Sequence, residues 1–468
     1  MKASRTRRIA TPRHSLRLGN CLPVSLALVL ATSALRADPA FQVLYKFFPS
    51  GSNGFRPDSP LAEKDGTFYG TVDGNNQAFG SIFKFTPGSS VTYLTNFDSS
   101  TGYQPFGGLT LGSDGNLYGV TKGSSYGEPG AALGTLFRVT TNGDLTTLFD
   151  FRSTNWGNPA SYLTLGSDGN LYGTTDGVIF SSTTNGVVTK LKSLSHSNPA
   201  DGYALSFCQL TETSNGWFYG TALYGGTTDG GTIFKVRTNG EFATLASFNG
   251  TNGTRPLSPI LGPDQNLYGV TLGGGTSSNG TIFRMSQDGA LSTIASFDGA
   301  NGRSPGPGLT LSADGQFYGS AAYRLINGKL EPGVLFSVST NGLIKVLLTM
   351  DGTNGLHPYA FLSLSKDGNL YGTVSDANWE ATADGSYGSI IRLVPPPTIS
   401  SLTRSNNAVV LSWNSFTNGQ YRLEQNTNLV SAPWTPLLPT VTADKDTTSL
   451  QVPVGDAPVC YFRVVLLP

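Results

Sequence analysis

Apolar residues in this chain come in short runs separated by Gly, Asn, Ser, Thr and Asp. Beyond the N-terminal leader no stretch keeps a helical period. Around Tyr268 the runs are Leu257 to Leu261, Asn266 to Thr271 (NLYGVT), Gly280 to Met285 (GTIFRM) and Leu291 to Phe297 (LSTIASF), with Asp264-Gln265 and Asp288-Gly289 between them. Runs of this length bounded by turn formers predict four antiparallel strands. Asp288-Gly289 is expected to make a two-residue hairpin with positive φ at both central positions. Several strand positions are apolar on both faces, which suits sheets sandwiched between neighbouring sheets.

The pattern repeats. Asp-Gly-x-Leu/Phe-Tyr-Gly, or a close variant, recurs with its tyrosines at Tyr69, Tyr118, Tyr172, Tyr219, Tyr268, Tyr318 and Tyr371, spaced 49, 54, 47, 49, 50 and 53 residues apart. A period near fifty marks a repeat architecture. Third-strand segments GSIFKF (80–85), GTLFRV (134–139), GTIFKV (231–236), GVLFSV (333–338) and GSIIRL (388–393) keep step with it. So do the turns Asn142-Gly143, Asn185-Gly186, Asn239-Gly240 and Asn341-Gly342. Four strands per repeat make one blade. The predicted fold is all-β, a seven-bladed β-propeller of four-stranded blades. The repeat around Tyr172 departs most, because GVIF (177–180) follows almost at once.

The two ends of the array complement each other. Pro395-Pro396-Pro397 stands where the last repeat should have its hairpin and fourth strand. FQVLYKFF (41–48) matches the fourth strands LTTLFDF (145–151) and FATLASF (242–248), and GSNGFRP (51–57) matches GTNGTRP (250–256). The N-terminal segment is therefore expected to close the last blade, which removes open sheet edges. After the prolines the runs AVVLSW (408–413), QYRLE (420–424), 449–454 and YFRVVL (461–466) predict a small β-sandwich with Trp413 and Trp434 in its core. The domain reading is a signal peptide over 1–37, a propeller over 38–394, a semi-rigid proline linker over 395–397 and a sandwich over 398–468.

The chain has 468 residues, 59 Gly and 13 % charged residues, a composition that suits an extracellular all-β protein. Its net charge of zero hides an asymmetry. Lys2, Arg5, Arg7, Arg8, Arg13, Arg17 and Arg36 all precede the first acid, Asp38. A basic stretch, the apolar run Cys21 to Ala34 and small residues near Ala37 read as a secretory signal, and the run is too short to span a bilayer. Without residues 1–37 the chain carries 23 basic against 30 acidic residues, a net charge of −7. That balance argues against nucleic acid as a partner. Cys208 and Cys460 fall in different domains and are expected as buried fillers. With His196 and His357 they offer no zinc spacing.

The repeats resemble the Gloeobacter/Verrucomicrobia (GloVer) extracellular repeat, whose units read Asp-Gly-x-Leu-Tyr-Gly-Thr, Gly-Thr-x-Phe-x-Leu/Val, Asn/Asp-Gly and Leu-x-x-Leu-x-x-Phe. The resemblance covers about residues 41–394, with Asn215-Gly216 and Asp264-Gln265 departing from Asp-Gly. It implies export and a repeat scaffold and carries no catalytic residues over. The C-terminal module resembles a short fibronectin type III domain. A weaker resemblance, to the streptogramin B lyase type of propeller, implies a histidine and acids with a divalent metal near the channel. His357 is the candidate here, and no acidic partner is evident.

The long segments 120–133, 320–332 and 373–387 and the Asn-Gly-x-x-Pro crossovers are expected on one face, where variable loops on a rigid scaffold carry function. Arg56, Tyr103, Tyr203, Arg255, Arg303 and His357 occupy the crossovers near the channel mouth, and the cations among them suit an anionic sugar or carboxylate. Trp379, Glu380 and Asp384 form a second candidate patch. The repeated tyrosines read as packing between blades, and the Asp-Gly aspartates as turn formers without calcium-loop spacing. The functional expectation is a secreted, monomeric binding or adhesion scaffold for a saccharide or a surface protein, with no cofactor, no metal and no transmembrane segment. No catalytic constellation is visible. The competing readings are an extracellular polysaccharide hydrolase or lyase, which needs paired loop carboxylates, and a structural envelope component.

Overall fold

The computed structural model describes residues 40–466 except 49–53, 55, 58, 74–78, 106, 124–133, 155, 160, 359–361, 376–384, 398, 406–407, 416–418, 427–432, 438, 445–446 and 454–460. Asp38–Pro396 forms one compact unit, and Pro397–Pro468 belongs to another. The described residues are almost entirely strand and turn, with two single 3-10 turns at Phe151–Ser153 and Pro199–Asp201.

From Ala40 to Val394 the described strands form seven antiparallel sheets. The sheet around Tyr268 runs Ile260–Leu261, Leu267–Gly273, Thr281–Met285, Leu291–Ser296, and the preceding crossover adds Thr254–Pro256 to the far end of its second strand. The last sheet takes its outer strand from the N-terminus, where Ala40–Phe47 pairs antiparallel with Gly388–Val394. A shared irregularity identifies Ala40–Phe47 as a fourth strand. In each sheet the third and fourth strands slip by one residue at the same place, leaving Leu94, Leu148, Leu191, Leu245, Ile294 and Leu347 unpaired in a bulge. The N-terminal strand slips likewise at Leu44. The bulged residue is the second Leu of Leu-x-x-Leu-x-x-Phe.

Neighbouring sheets pack through the motif tyrosines. Each is at most 6 % exposed and meets the apolar residue just before the tyrosine of the next sheet. Tyr172 stacks on Phe218 at 4.0 Å and Tyr268 lies against Phe317 at 4.5 Å between ring centroids. Tyr69, Tyr118, Tyr219 and Tyr318 pack in clusters with Leu117, Leu171, Leu267 and Leu370. The succession closes, since Tyr371 packs on Phe68 at 4.2 Å. Around the same junction Thr373 donates to Ser59 O (2.8 Å) and the Lys366 N–H donates to Glu63 (3.2 Å). The result is a propeller-type ring.

The hairpins differ in kind from the expected two-residue turn. In Ser286–Ala290, Gly289 N–H donates to Ser286 O (2.9 Å) and Ser286 N–H to Ala290 O (3.1 Å), and only Gly289 has positive φ. This is a type I turn followed by a left-handed glycine, the three-residue solution. Asn142-Gly143, Asn185-Gly186, Asn239-Gly240 and Asn341-Gly342 make the same bonds. The first repeat is one residue shorter before its tyrosine and does use the two-residue form, with Asp65 at φ 51° and Gly66 at 75°. Gln265 adopts the left-handed conformation (φ 63°) where the other repeats have glycine.

The segment 320–332 is not a loop. It is the outer half of a hairpin ribbon, Phe317–Ile326 with Lys329–Val338, turning at Asn327-Gly328. Residues 320–326 (SAAYRLI) contain no Gly or Pro to break the strand before Asn327-Gly328, a two-residue turn signal.

In the second unit, Ile399–Ser405, Ala408–Asn414 and Thr447–Pro453 form one sheet. In the other, Gln420–Asn426 is central, between Tyr461–Leu466 and the short strands Thr435–Pro436 and Val441–Thr442. Val409, Leu411, Trp413, Val452, Tyr421, Leu423, Phe462 and Val464 share one core. Trp413 is fully buried as expected, but Trp434 is not a core residue. It is half-buried and covers the Arg463 guanidinium at 4.6 Å. Below it, Glu424 is held between Arg463 (Nε to Oε2, 2.7 Å) and Arg422 (Nε to Oε1, 2.7 Å).

Candidate functional site

The inner strands of all seven sheets line a cavity of about 420 Å³. Opposite the motif tyrosines stand Ala62, Thr110, Thr164, Thr211, Ile260, Thr310 and Ser363. The threonine hydroxyls are used by the wall. Thr110 donates to Leu163 O (2.7 Å), Thr164 to Leu210 O (2.6 Å), Thr211 to Pro259 O (2.5 Å) and Thr310 to Leu362 O. These bonds tie four of the seven inner strands to the next sheet. Glu63 is the carboxylate in the lining, and it accepts from the Lys366 backbone. Arg56, Tyr103, Tyr203, Arg255, Arg303 and His357 do not line this cavity.

The hairpin end of the ring is built from its own side chains. The Asp-Gly aspartate accepts from the tyrosine four residues on: Asp114 from Tyr118 (2.7 Å), Asp168 from Tyr172 (2.7 Å), Asp264 from Tyr268 (3.0 Å), Asp314 from Tyr318 (2.8 Å) and Asp367 from Tyr371 (2.8 Å). Asn116, Asn170, Asn266 and Asn369 donate to the same carboxylates. Burial pushes Asp114, Asp168 and Asp264 up, but these hydrogen bonds outweigh it and hold all three below the usual carboxylate range. Burial, then the bond to Asp114, pushes Tyr118 up to about 12. In the fourth repeat Asn215 replaces Asp, and Tyr219 donates instead to Gln287 O of the next sheet (3.2 Å). These carboxylates are committed to the fold, and the described residues hold no group of three metal-ligating side chains.

At the opposite end the crossovers return to the inner edge, and the candidate residues separate. Arg56 is buried and bridges to Asp73 through its backbone (2.7 Å). Tyr103 packs edge-on to Phe79 (5.5 Å). His357, 8 % exposed, lies against Tyr323 of the ribbon at 4.7 Å, and Tyr323 pairs with Arg303. Arg255 is exposed at φ 55°, its N–H bonded to Gly230 O (2.8 Å), with no ion pair among the described residues. Arg255 and Ser304 occupy equivalent crossover positions, as do Thr254 and Arg303, so the two arginines sit one position apart. Trp379, Glu380 and Asp384 lie outside the described residues.

Tyr203 has partners that the sequence reading did not name. Tyr203 and Tyr224 exchange both backbone hydrogen bonds (3.0 and 3.2 Å). Directly opposed residues in such a pair project to the same side, and the two rings stack at 5.6 Å and 23°. Glycines make the approach feasible. A Cβ on Gly225 would lie 2.6 Å from Gly202 Cα, and one on Gly202 would lie 2.3 Å from the Thr232 hydroxyl. The Tyr203 hydroxyl donates to Asp229 (2.9 Å), which also accepts from Gly225 N–H (2.8 Å). That hydrogen bond, then burial, raises the Tyr203 pKa. His196 meets Tyr203 edge-on at 4.8 Å. The available signal was Gly-Tyr at 202–203 and Tyr-Gly at 224–225, an aromatic on each side of one bridge.

A closed ring of antiparallel sheets with its variable surface at the crossover end defines a propeller-type repeat protein. The chain belongs to the Gloeobacter/Verrucomicrobia repeat family, whose model matches residues 33–177 and 174–387. No curated protein matches it. Among solved structures it is similar to a fungal alcohol oxidase of the AA5 family in complex with copper, at TM-score 0.50 and 12 % identity over 91 % of this chain and 93 % of that one. Also similar are a catalytically inactive virginiamycin B lyase from Staphylococcus aureus with quinupristin (TM-score 0.49, 14 % identity, 76 % and 99 %) and the extracellular domain assigned to a hybrid two-component system of B. thetaiotaomicron (TM-score 0.49, 11 % identity). The chain covers 92 % of itself and 56 % of the latter. The likeness to the alcohol oxidase is one of fold alone.

Proposed function

We propose that this is a secreted binding scaffold: a signal peptide over 1–37, a seven-bladed propeller over 38–394, a proline linker over 395–397 and a fibronectin III-like sandwich over 398–468. The ligand, a saccharide or a surface protein, docks on the crossover face. One observation carries the reading. That face presents a stacked tyrosine pair, Tyr224 exposed and Tyr203 half-buried, and an exposed cation without an ion pair among the described residues, whereas the axial cavity and the hairpin end spend their polar groups on the wall itself. Rigid scaffolds place binding residues on variable loops in this way. Trp379, Glu380 and Asp384 remain a second candidate patch by their place in the sequence repeat.

The test is a thermal-shift screen of the purified protein against neutral oligosaccharides, acidic oligosaccharides, peptides and divalent metals. A ligand at a hundred times its Kd stabilises by about 2.7 kcal/mol. A shift with a saccharide or peptide is the expected result. No shift with any class would leave a structural component in its place.

A further inference from the structure

We propose that Tyr203, Tyr224, Asp229 and Arg255 form one binding site for an acidic saccharide, with a sugar ring against the tyrosine pair and a carboxylated ring at Arg255. The inference rests on the binding reading above and narrows it to a place and a ligand class.

The geometry is that of a prepared surface. Tyr224 is 36 % exposed and Tyr203 half-buried, so the pair presents ring surface to solvent while its inner side is backed by sheet. Both tyrosines stand on a fixed backbone, and one ring is anchored at its hydroxyl. The two backbones are hydrogen-bonded to each other, and the Tyr203 hydroxyl is pinned by Asp229. Rigid aromatic contact surface carries little conformational cost on binding. Of the described crossover bridges, Arg56 opposes Asp73, Pro159 opposes Thr175, Thr254 opposes Gly273 and Arg303 opposes Tyr323. Only Tyr203 opposes another aromatic. A pyranose ring has an apolar C–H face and a polar rim. It matches an aromatic body with polar groups at its edge, here the exposed carboxylate of Asp229 and the exposed imidazole of His196.

Charge selects the class of sugar. Arg255 enters on the next crossover, its N–H bonded to Gly230 O one residue from Asp229. The left-handed backbone there belongs to the crossover, since Gln104, Ala204 and Ser304 share it. The exposed guanidinium belongs to this site. Guanidinium pairs with carboxylate through two parallel hydrogen bonds, a partner this cation lacks among the described residues. A neutral sugar would leave that fork unused. A uronic acid linked to the ring on the tyrosines would fill it.

The experiment is calorimetric titration of the full-length protein, expressed and purified as exported, with short oligogalacturonate and oligomannuronate and with their methyl esters. The expected result is binding of an acid form, at least tenfold weaker for its ester and weakened by salt. Tyr224→Ala should lower affinity for acid and ester alike by tenfold or more. Arg255→Gln should abolish the difference between them, and Tyr224→Phe should retain affinity. Unchanged unfolding midpoints show that the variants fold. Equal binding of acid and ester by the parent protein overturns the charge assignment. Undiminished binding in folded Tyr224→Ala and Arg255→Gln variants overturns the site and leaves the scaffold reading standing. No binding of any of these saccharides overturns the proposal outright, and the scaffold reading then stands or falls separately on the peptide arm of the thermal-shift screen.

Discussion

The ring of Tyr371 lies 4.2 Å from the ring of Phe68, joining the last repeat to the first. Elsewhere in the array the tyrosine of one sheet meets the next sheet in chain order, so this contact is the same one made across the closure. It stands beside the N-terminal strand that completes the last sheet. Removing either ring leaves a cavity at that junction, at a cost of about 3–5 kcal/mol. Phe68→Ala and Tyr371→Ala should each lower the unfolding free energy by that amount, read as a fall in the denaturation midpoint. The double variant should lose less than the sum, because contacting residues couple. Additive losses in a denaturant cycle would show that the two rings do not support each other.

The hairpin glycines sit against the bulge of the preceding sheet. A Cβ at Gly342 would lie 2.0 Å from Ile294 O, whereas one at Gly216 would meet nothing within 4 Å, and both have positive φ. Gly216→Ala should therefore cost about 1–2 kcal/mol from backbone conformation alone. Gly342→Ala should cost more, because the hairpin must also move away from its neighbour. Equal unfolding midpoints for the two variants would contradict this packing account.

Acid and alkali should both loosen the hairpin end. Asp114, Asp168 and Asp264 have folded pKa values below the unfolded value of about 3.9. Their contribution is complete above that pH and is lost as pH falls through the lowered folded values. Tyr118, pushed up to about 12, contributes fully below its unfolded value of about 10 and loses that contribution as pH rises toward 12. Each exposed aspartate supplies only about 0.2–1 kcal/mol after solvent screening. The triple substitution of Asp114, Asp168 and Asp264 by Asn should therefore flatten the acid limb of a stability-versus-pH curve measurably. An unchanged limb would place the acid sensitivity elsewhere.

In the C-terminal unit, Glu424 is 3 % exposed between Arg422 and Arg463. Removing one member of a buried charge cluster typically costs about 3–5 kcal/mol, because the other charges remain. Glu424→Ala should reach the lower part of that range, since the arginines are partly exposed. Trp434→Ala removes a cation–π contact of about 0.5–1 kcal/mol. Thermal unfolding of the two variants should rank them in that order.

Much of the architecture is written locally. Turn residues alternating with short apolar runs specify strands through backbone propensity and burial, and the fifty-residue period repeats that local code until the array is evident. The complementarity of residues 41–48 to a missing fourth strand is equally legible, because strand pairing follows a pattern of side chains. The turn type was not, because Asn-Gly suits both two- and three-residue hairpins. Only the bulge against the neighbouring sheet shows why the latter, with a single left-handed glycine, is used. Trp434 was misread for a related reason. Its hydrophobicity is evident in the sequence, but its position over Arg463 depends on which face of a sheet its segment reaches. The pairing of Tyr203 with Tyr224 likewise depends on a long-range backbone bridge and on Gly202 and Gly225 touching across it. Local sequence determined the strands, the repeat and its closing segment. Tertiary structure decided which side chains became wall, which were consumed in turns and which remained exposed, because those outcomes depend on contacts between segments that no local pattern encodes.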